Sequence, residues 1–139
     1  MQNITRLFDF SYYQLENYNL PDALVTKYGN EWIKTSTQEY INKANALSRA
    51  LLHLGVEKND KIAIISSNNR TEWHISDIGI LQTGAQNVPI YPTISSEDYE
   101  YILNHSEAKY CFVSDQEVYD KLKAVHAKIP LLQDIYSFN

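Results

Sequence analysis

A chain of 139 residues with 44% apolar and 21% charged residues has material for one compact core and too little for two ordinary domains, so a single α/β unit is the starting expectation and a disordered tail is excluded. Twelve Lys and Arg against seventeen Asp and Glu leave a net charge of -5, and without a basic cluster the chain has no face for nucleic-acid phosphates. The longest strictly aliphatic run, residues 62–65, falls far short of the roughly 20 residues that span a bilayer.

Residues 1–3 are polar, and no charged leader with an apolar stretch follows them, so the expected location is cytoplasmic. One cysteine, Cys111, leaves no internal disulfide to form, which agrees with a reducing compartment. The eleven tyrosines carry no functional reading.

In chain order, residues 4–18 place Ile4, Leu7, Phe8, Tyr12 and Leu15 at helical spacing, predicting an amphipathic helix whose stripe docks on its own domain. A membrane-surface helix is the other reading, and it lacks the Lys and Arg expected on the polar face. Residues 23–28 and 31–35 flank Gly29-Asn30 and predict a hairpin. Ser36 with Glu39 makes a capping box for a helix bearing Tyr40, Ile41, Ala44, Leu47, Leu51 and Leu54 on one stripe. Gly55 ends it, and Val56 is placed to fold back on the last turn.

From Lys61 the pattern alternates by element. Residues 62–65 read as a strand covered on both faces. Asn69 with Glu72 predicts the start of a helix that Gly84 stops. Val88 and Ile90 mark the second strand, and Pro89 within it predicts an edge position or one whose amide is not needed. Ser95 or Ser96 caps a helix with Tyr99, Ile102 and Leu103 inward, and residues 110–113 form the third strand. Ser114 with Glu117 predicts the cap of a helix lined by Val118, Leu122 and Val125, with Lys121, Lys123 and Lys128 at its carboxyl end. Residues 131–136, after Pro130, read as a fourth strand. The expected fold is therefore α/β, a partial doubly wound parallel sheet with right-handed crossovers, preceded by a helix and a β-hairpin. Residues 1–35 form the helix and hairpin part, and residues 36–139 form the βα units. The last strand has no helix after it, which predicts exposed apolar surface and self-association.

Parallel sheets place ligands at the carboxyl ends of their strands, which here are residues 66–69 and 91–93. The chemistry such a site needs is missing from both. Gly29, Gly55, Gly79 and Gly84 are isolated singles, so no glycine-rich phosphate cradle can be drawn. His53, His74, His105 and His126 lack the close pairing that marks most zinc sites. Cys111 falls in a buried strand, where it reads as an inert small hydrophobe. Glu97, Asp98 and Glu100 occupy a first helical turn, where the helix dipole explains them. A receiver domain also alternates strand and helix, with Asp115 following the third strand as a phosphoacceptor would. That reading needs an acidic pair after the first strand, where this chain has Ser66, Ser67 and Asn68, and a fifth strand with a lysine.

TSTQEYINKANALSRALLHLGVEKNDKIAIISSNN, residues 35–69, resembles the opening of the AMP-forming adenylating enzymes, where a helix ending in Leu-Gly-Val precedes a strand introduced by charged residues. LQTGAQNVPIYPT, residues 81–93, is similar to their second core motif. Asn69-Arg70-Thr71-Glu72-Trp73 together with Pro89-Ile90-Tyr91-Pro92-Thr93, and then SSEDYEYILNHSEAKYCFVSD at residues 95–115, resemble most the long-chain fatty acid:CoA ligases of that superfamily. The resemblance implies the first subdomain of the large amino-terminal domain of an adenylate-forming enzyme. It implies a two-step reaction in which a fatty acid carboxylate attacks the α-phosphate of ATP with magnesium present, releasing pyrophosphate, and the CoA thiol then displaces AMP.

The family's phosphate loop, its adenine and magnesium segments, its ribose-binding aspartate and its carboxyl-terminal lid domain with the catalytic lysine have no counterpart in this sequence. The resemblance therefore carries over no catalytic, cofactor-binding or metal residue. It carries scaffold: Gly84 and Pro89 as backbone punctuation, Trp73 and Ile80 as core, and residues 91–93 at a strand end. The expected function is the amino-terminal portion of a long-chain fatty acid:CoA ligase, inactive alone. ATP, Mg2+ and CoA belong to the complete enzyme and none is expected to bind this chain; peripheral membrane association is in keeping with an apolar substrate. The alternative is a stand-alone, non-catalytic α/β binding or interaction module.

Overall fold

The computed structural model describes residues 4–139; the polar start at residues 1–3 lies outside them. The chain is a mixed α/β protein with a four-stranded parallel sheet and a two-stranded antiparallel hairpin. Where one core was expected, it divides into two compact units.

The first unit holds three helices and the hairpin. Helix α1 covers Asp9–Asn17 and starts later than the periodicity predicts. Asp9 is the cause: its Oδ2 accepts the backbone N–H of Thr5 at 3.2 Å and of Arg6 at 2.9 Å, and its Oδ1 meets the Arg6 guanidinium at 2.8 Å, folding the chain into a turn first. The expected docking stripe is accordingly incomplete. Leu7 is 70% exposed, and Ser11 is the buried residue of the helix.

Strands β1 (Leu24–Tyr28) and β2 (Glu31–Thr35) pair antiparallel about Gly29, whose φ of +58° is the left-handed value a two-residue turn requires. Helix α2 (Thr37–His53) opens with the predicted capping box: Ser36 Oγ accepts the Glu39 N–H at 3.2 Å and Glu39 Oε2 accepts the Ser36 N–H at 2.9 Å. It closes as predicted too, since Gly55 has φ +81° and the Val56 N–H donates back to the Leu51 carbonyl at 3.0 Å. Ile41, Ala44 and Leu51 of its stripe are buried, whereas Leu54 is exposed.

Helix α3 (Thr71–Gln82) corrects one expectation. Asn69 is not its cap; Arg70 holds the N-cap position and makes no side-chain cap bond. Instead the hairpin supplies the acceptor, because Thr26 Oγ1 takes the Thr71 N–H at 2.9 Å. Ile80 is fully buried as expected, but Trp73 is half-buried with its ring edge-on to His74 rather than in the core.

The second unit is the sheet with its own helices. Strands β3 (Lys61–Ile65), β4 (Gln86–Ile90), β5 (Ala108–Val113) and β6 (Asp134–Ser137) run parallel in the order β4-β3-β5-β6. Pro89 therefore sits on an edge strand, where the ladder bond it lacks is not required. Helix α4 (Ser96–Ser106) is capped by Ser95 and Asp98, the first of the two serines considered. Helix α5 (Gln116–Lys123) is capped by Asp115, one residue beyond the expected Ser114.

Ala63, Ile65, Cys111, Val113 and Ile135 from the sheet join Tyr99 and Leu103 of α4 and Val118 and Leu122 of α5 in one buried cluster. Ile62 and Ile64, on the opposite face by strand alternation, are buried as well. A 3-10 turn at His126–Lys128 delays β6 relative to the predicted start at residue 131, and Leu132 is buried before the strand begins. Among the described residues no helix is long and apolar enough to cross a membrane.

Candidate functional site

Because the strands are parallel and ordered β4-β3-β5, the turns leaving β3, β4 and β5 emerge side by side on one edge of the sheet, the edge where ligands of such folds are held. Residues 66–68, 91–93 and 114–115 make up that edge. The Ser67 N–H donates to Ser114 Oγ at 2.9 Å, and Ser114 Oγ donates to Asp115 Oδ2 at 2.6 Å. Asp115 Oδ1 accepts the Val118 N–H at 3.0 Å, while Ser66 Oγ closes its own turn on the Asn68 carbonyl at 2.7 Å. Burial pushes the Asp115 carboxyl up, but bonds from Ser114, Val118, Ser67 and Glu117 outweigh it and hold the group below the usual carboxylate range. A carboxylate committed this fully caps a helix and ties two turns together. It is not presented as a phosphoacceptor.

The turn after β4 is fixed from the other side. Tyr99 donates its hydroxyl to the Pro92 carbonyl at 2.8 Å, and Lys121 Nζ lies 3.4 Å from the same oxygen, reaches the Ile94 carbonyl and stands 5.0 Å from the Tyr99 ring centroid. Burial first, then the Cys111 and Asp115 charges, push the Tyr99 phenol up to about 12. Tyr91 leads this turn, 81% exposed. The edge thus offers a platform with one projecting aromatic side chain, and the hydroxyl on it that meets a carboxylate, Ser114 on Asp115, is engaged by the Ser67 N–H as well.

The remaining candidate residues stay apart. His105 stacks on Tyr101 with centroids 5.7 Å apart, and His126 Nε2 lies 2.8 Å from the Leu132 carbonyl. Asp98 is committed to the α4 capping box and Glu100 pairs with Lys128 at 3.3 Å. Cys111 is wholly buried, which raises its thiol far above the normal range. Among the described residues no three His, Cys, Asp or Glu side chains stand together as a metal site.

Sequence reasoning missed a charged cluster in the first unit. Arg70 is almost fully buried; its Nε donates to Glu72 Oε2 at 2.9 Å, and its guanidinium lies 5.6 Å from the Tyr28 ring centroid. The Tyr28 hydroxyl bridges both Glu72 oxygens at 2.7 and 2.9 Å. Burial would raise Glu72, yet the bonds from Arg70 and Tyr28 bring it down to about 2. Tyr28 and Glu72 are 44 residues apart, so no local pattern signals the pairing. The cluster fastens the hairpin to α3, with every charge compensated.

The model of a family described as AMP-binding enzyme matches residues 14–137. A long-chain-fatty-acid–CoA ligase of Xenopus laevis is 30% identical over 116 residues, covering 84% of this chain and 16% of the relative. Another from Mycobacterium bovis is 33% identical over 104 residues, covering 75% and 17%. The chain therefore spans about a sixth of the length of these curated relatives. The crystal structure of the anthranilate CoA ligase AuaEII in complex with anthranoyl-AMP superposes with a TM-score of 0.83 over 96% of this chain and 25% of that one, at 23% identity, which establishes a shared fold.

Proposed function

We propose, for a chain that belongs to the AMP-binding enzyme family, that it is the amino-terminal scaffold of an AMP-forming long-chain fatty acid:CoA ligase. The observation that carries this reading is the identity with fatty acid ligases across 84% and 75% of the chain. In that reading residues 1–35 and 36–139 are consecutive parts of the AMP-binding domain, and the complete enzyme uses ATP, magnesium and CoA on a fatty acid.

The described residues do not fit the nucleotide or its metal. Gly29, Gly55 and Gly84 serve a hairpin and two helix ends, Gly79 lies inside α3, and no acidic cluster could hold magnesium. No chemical step is therefore routed through this chain's own side chains. Its contribution is positional: Asp115, Lys121 and Tyr99 hold the three turns at the carboxyl edge of the sheet in place.

The reading is tested by extending the coding sequence beyond residue 139 and assaying the complete product with a long-chain fatty acid, ATP and CoA. Formation of acyl-CoA with AMP and pyrophosphate is expected. A reading frame that closes at residue 139, or release of ADP, overturns it. Calorimetry of the 139 residues with ATP–magnesium should give heats of dilution, and saturable micromolar binding would instead favour an independent binding module. The same reading carries a cytoplasmic location, which cell fractionation tests, and self-association of the isolated chain, which light scattering tests.

A further inference from the structure

The turn that leaves β4 brings two of its backbone carbonyls to one cation. The Pro92 oxygen lies 3.4 Å from Lys121 Nζ, and the Ile94 oxygen, two residues on, is met by the same ammonium. The Tyr99 ring supplies a third side, its centroid 5.0 Å from Nζ. An ammonium has three protons to donate and nothing with which to accept, so two carbonyls and a ring face occupy it fully.

No carboxylate takes part. Elsewhere in the second unit Lys109 meets Asp60 at 2.8 Å and Lys128 meets Glu100 at 3.3 Å, whereas Lys121 makes no such pair among the described residues. That difference identifies the chemistry. Carbonyl oxygens aimed at one point, backed by an aromatic face, are surroundings in which a monovalent cation exchanges its hydration shell for protein. Lysine brings the same charge on a four-carbon stem. Without a cation both carbonyl dipoles would be left aimed at one point, and the Tyr99 hydroxyl, which donates to the Pro92 oxygen at 2.8 Å, relieves only one of them.

We infer that the Pro92 and Ile94 carbonyls and the Tyr99 ring form a site for a monovalent cation of ammonium type, which the chain fills with its own Lys121 Nζ, and that the shape of residues 91–95 depends on that cation. Lys121 is thereby a positioning residue for the carboxyl edge of the sheet. A soluble ammonium ion takes its place once the side chain is removed. The contacts all lie inside the second unit, so the inference does not depend on what covers the edge in a longer protein or on the ligase reading.

Lys121→Ala vacates the site, and Lys121→Met removes the charge but leaves a stem in the way. Urea denaturation of wild type and both variants is followed in sodium, ammonium and tetramethylammonium chloride at equal ionic strength. Ammonium should stabilise Lys121→Ala relative to sodium, shifting its unfolding equilibrium about tenfold at about 1 M salt for a site of about 0.1 M affinity. Tetramethylammonium, with no proton to donate, should not, and wild type and Lys121→Met should respond alike to sodium and ammonium. If Lys121→Ala is unfolded in every salt, proton–nitrogen NMR of the wild-type lysine side chains decides. The Lys121 ammonium should exchange its protons slowly and resonate upfield under the Tyr99 ring, and Tyr99→Leu should remove the upfield shift. An ammonium response shared by all the chains or matched by tetramethylammonium, none in a folded Lys121→Ala, or a Lys121 ammonium that behaves like a solvent-exposed lysine overturns the inference.

Discussion

Ser48 donates its hydroxyl to the carbonyl oxygen of Gly79 at 2.8 Å, and at that contact α2 lies hard against the α3 backbone. A Cβ built on Gly79 would lie 2.9 Å from Leu47 Cδ2, 3.1 Å from Leu47 Cβ and 3.2 Å from the Ala44 carbonyl oxygen. The helices are spaced for a residue with no side chain. Gly79→Val should destabilise the chain by about 2–3 kcal/mol through overpacking. Gly79→Ala should cost less, because Ala recovers about 1 kcal/mol of helix propensity. Urea denaturation of both variants checks the order, and a Gly79→Val chain as stable as wild type would contradict the close approach.

The α3 cap is borrowed from the hairpin, so its loss should be felt without touching α3 at all. Thr26→Val keeps the side-chain shape but removes the acceptor for the Thr71 N–H and the 2.8 Å bond between the two hydroxyls. A destabilisation of about 1–2 kcal/mol is expected from the orphaned buried amide. Asn69→Ala, at the position where the sequence pattern puts the cap, should change stability by less than about 0.5 kcal/mol. Thermal melts of the two variants give opposite rankings under the local and the tertiary account.

Glu72 sets the acid limb of stability. Its folded pKa of about 2 lies below the ordinary value of 4.5, so the folded state binds its proton less readily than the unfolded chain. The stabilisation is therefore present above about pH 4.5 and is lost as the pH falls toward 2. Glu72→Gln should be less stable than wild type at pH 7, and the gap should close as the pH is lowered across that window. Melting temperatures measured from pH 7 to pH 2 check the sign, and a gap that widens in acid would refute it.

Cys111 is fully buried and its thiol is raised by burial, so the native chain should not react with an aromatic disulfide reagent at pH 8. Full reaction of one thiol is expected in guanidinium. Stoichiometric labelling under native conditions would show that β5 opens readily.

Much of the fold could be read from the sequence because its signals are local. Ser36 with Glu39 and Ser95 with Asp98 satisfy each other within one helical turn, and Gly29, Gly55 and Gly84 take the left-handed angles their turns demand. The strand-helix alternation implied a parallel sheet, and Pro89 implied an edge strand. The ordered motifs at residues 35–69 and 81–93 pointed to the family.

What stayed hidden depends on residues that meet only after folding. Asp9 delays α1 by taking two amides upstream, Thr26 caps α3 from 45 residues away, and Asp115 displaces Ser114 as the α5 cap because Ser114 is engaged by the turn after β3. The order β4-β3-β5-β6, the division into two units and the meeting of Lys121 with the turn after β4 are likewise decided by tertiary structure. A backbone amide within a turn of a side-chain oxygen announces its partner in the sequence. One satisfied across the fold is indistinguishable from an unsatisfied one until the chain has closed on itself.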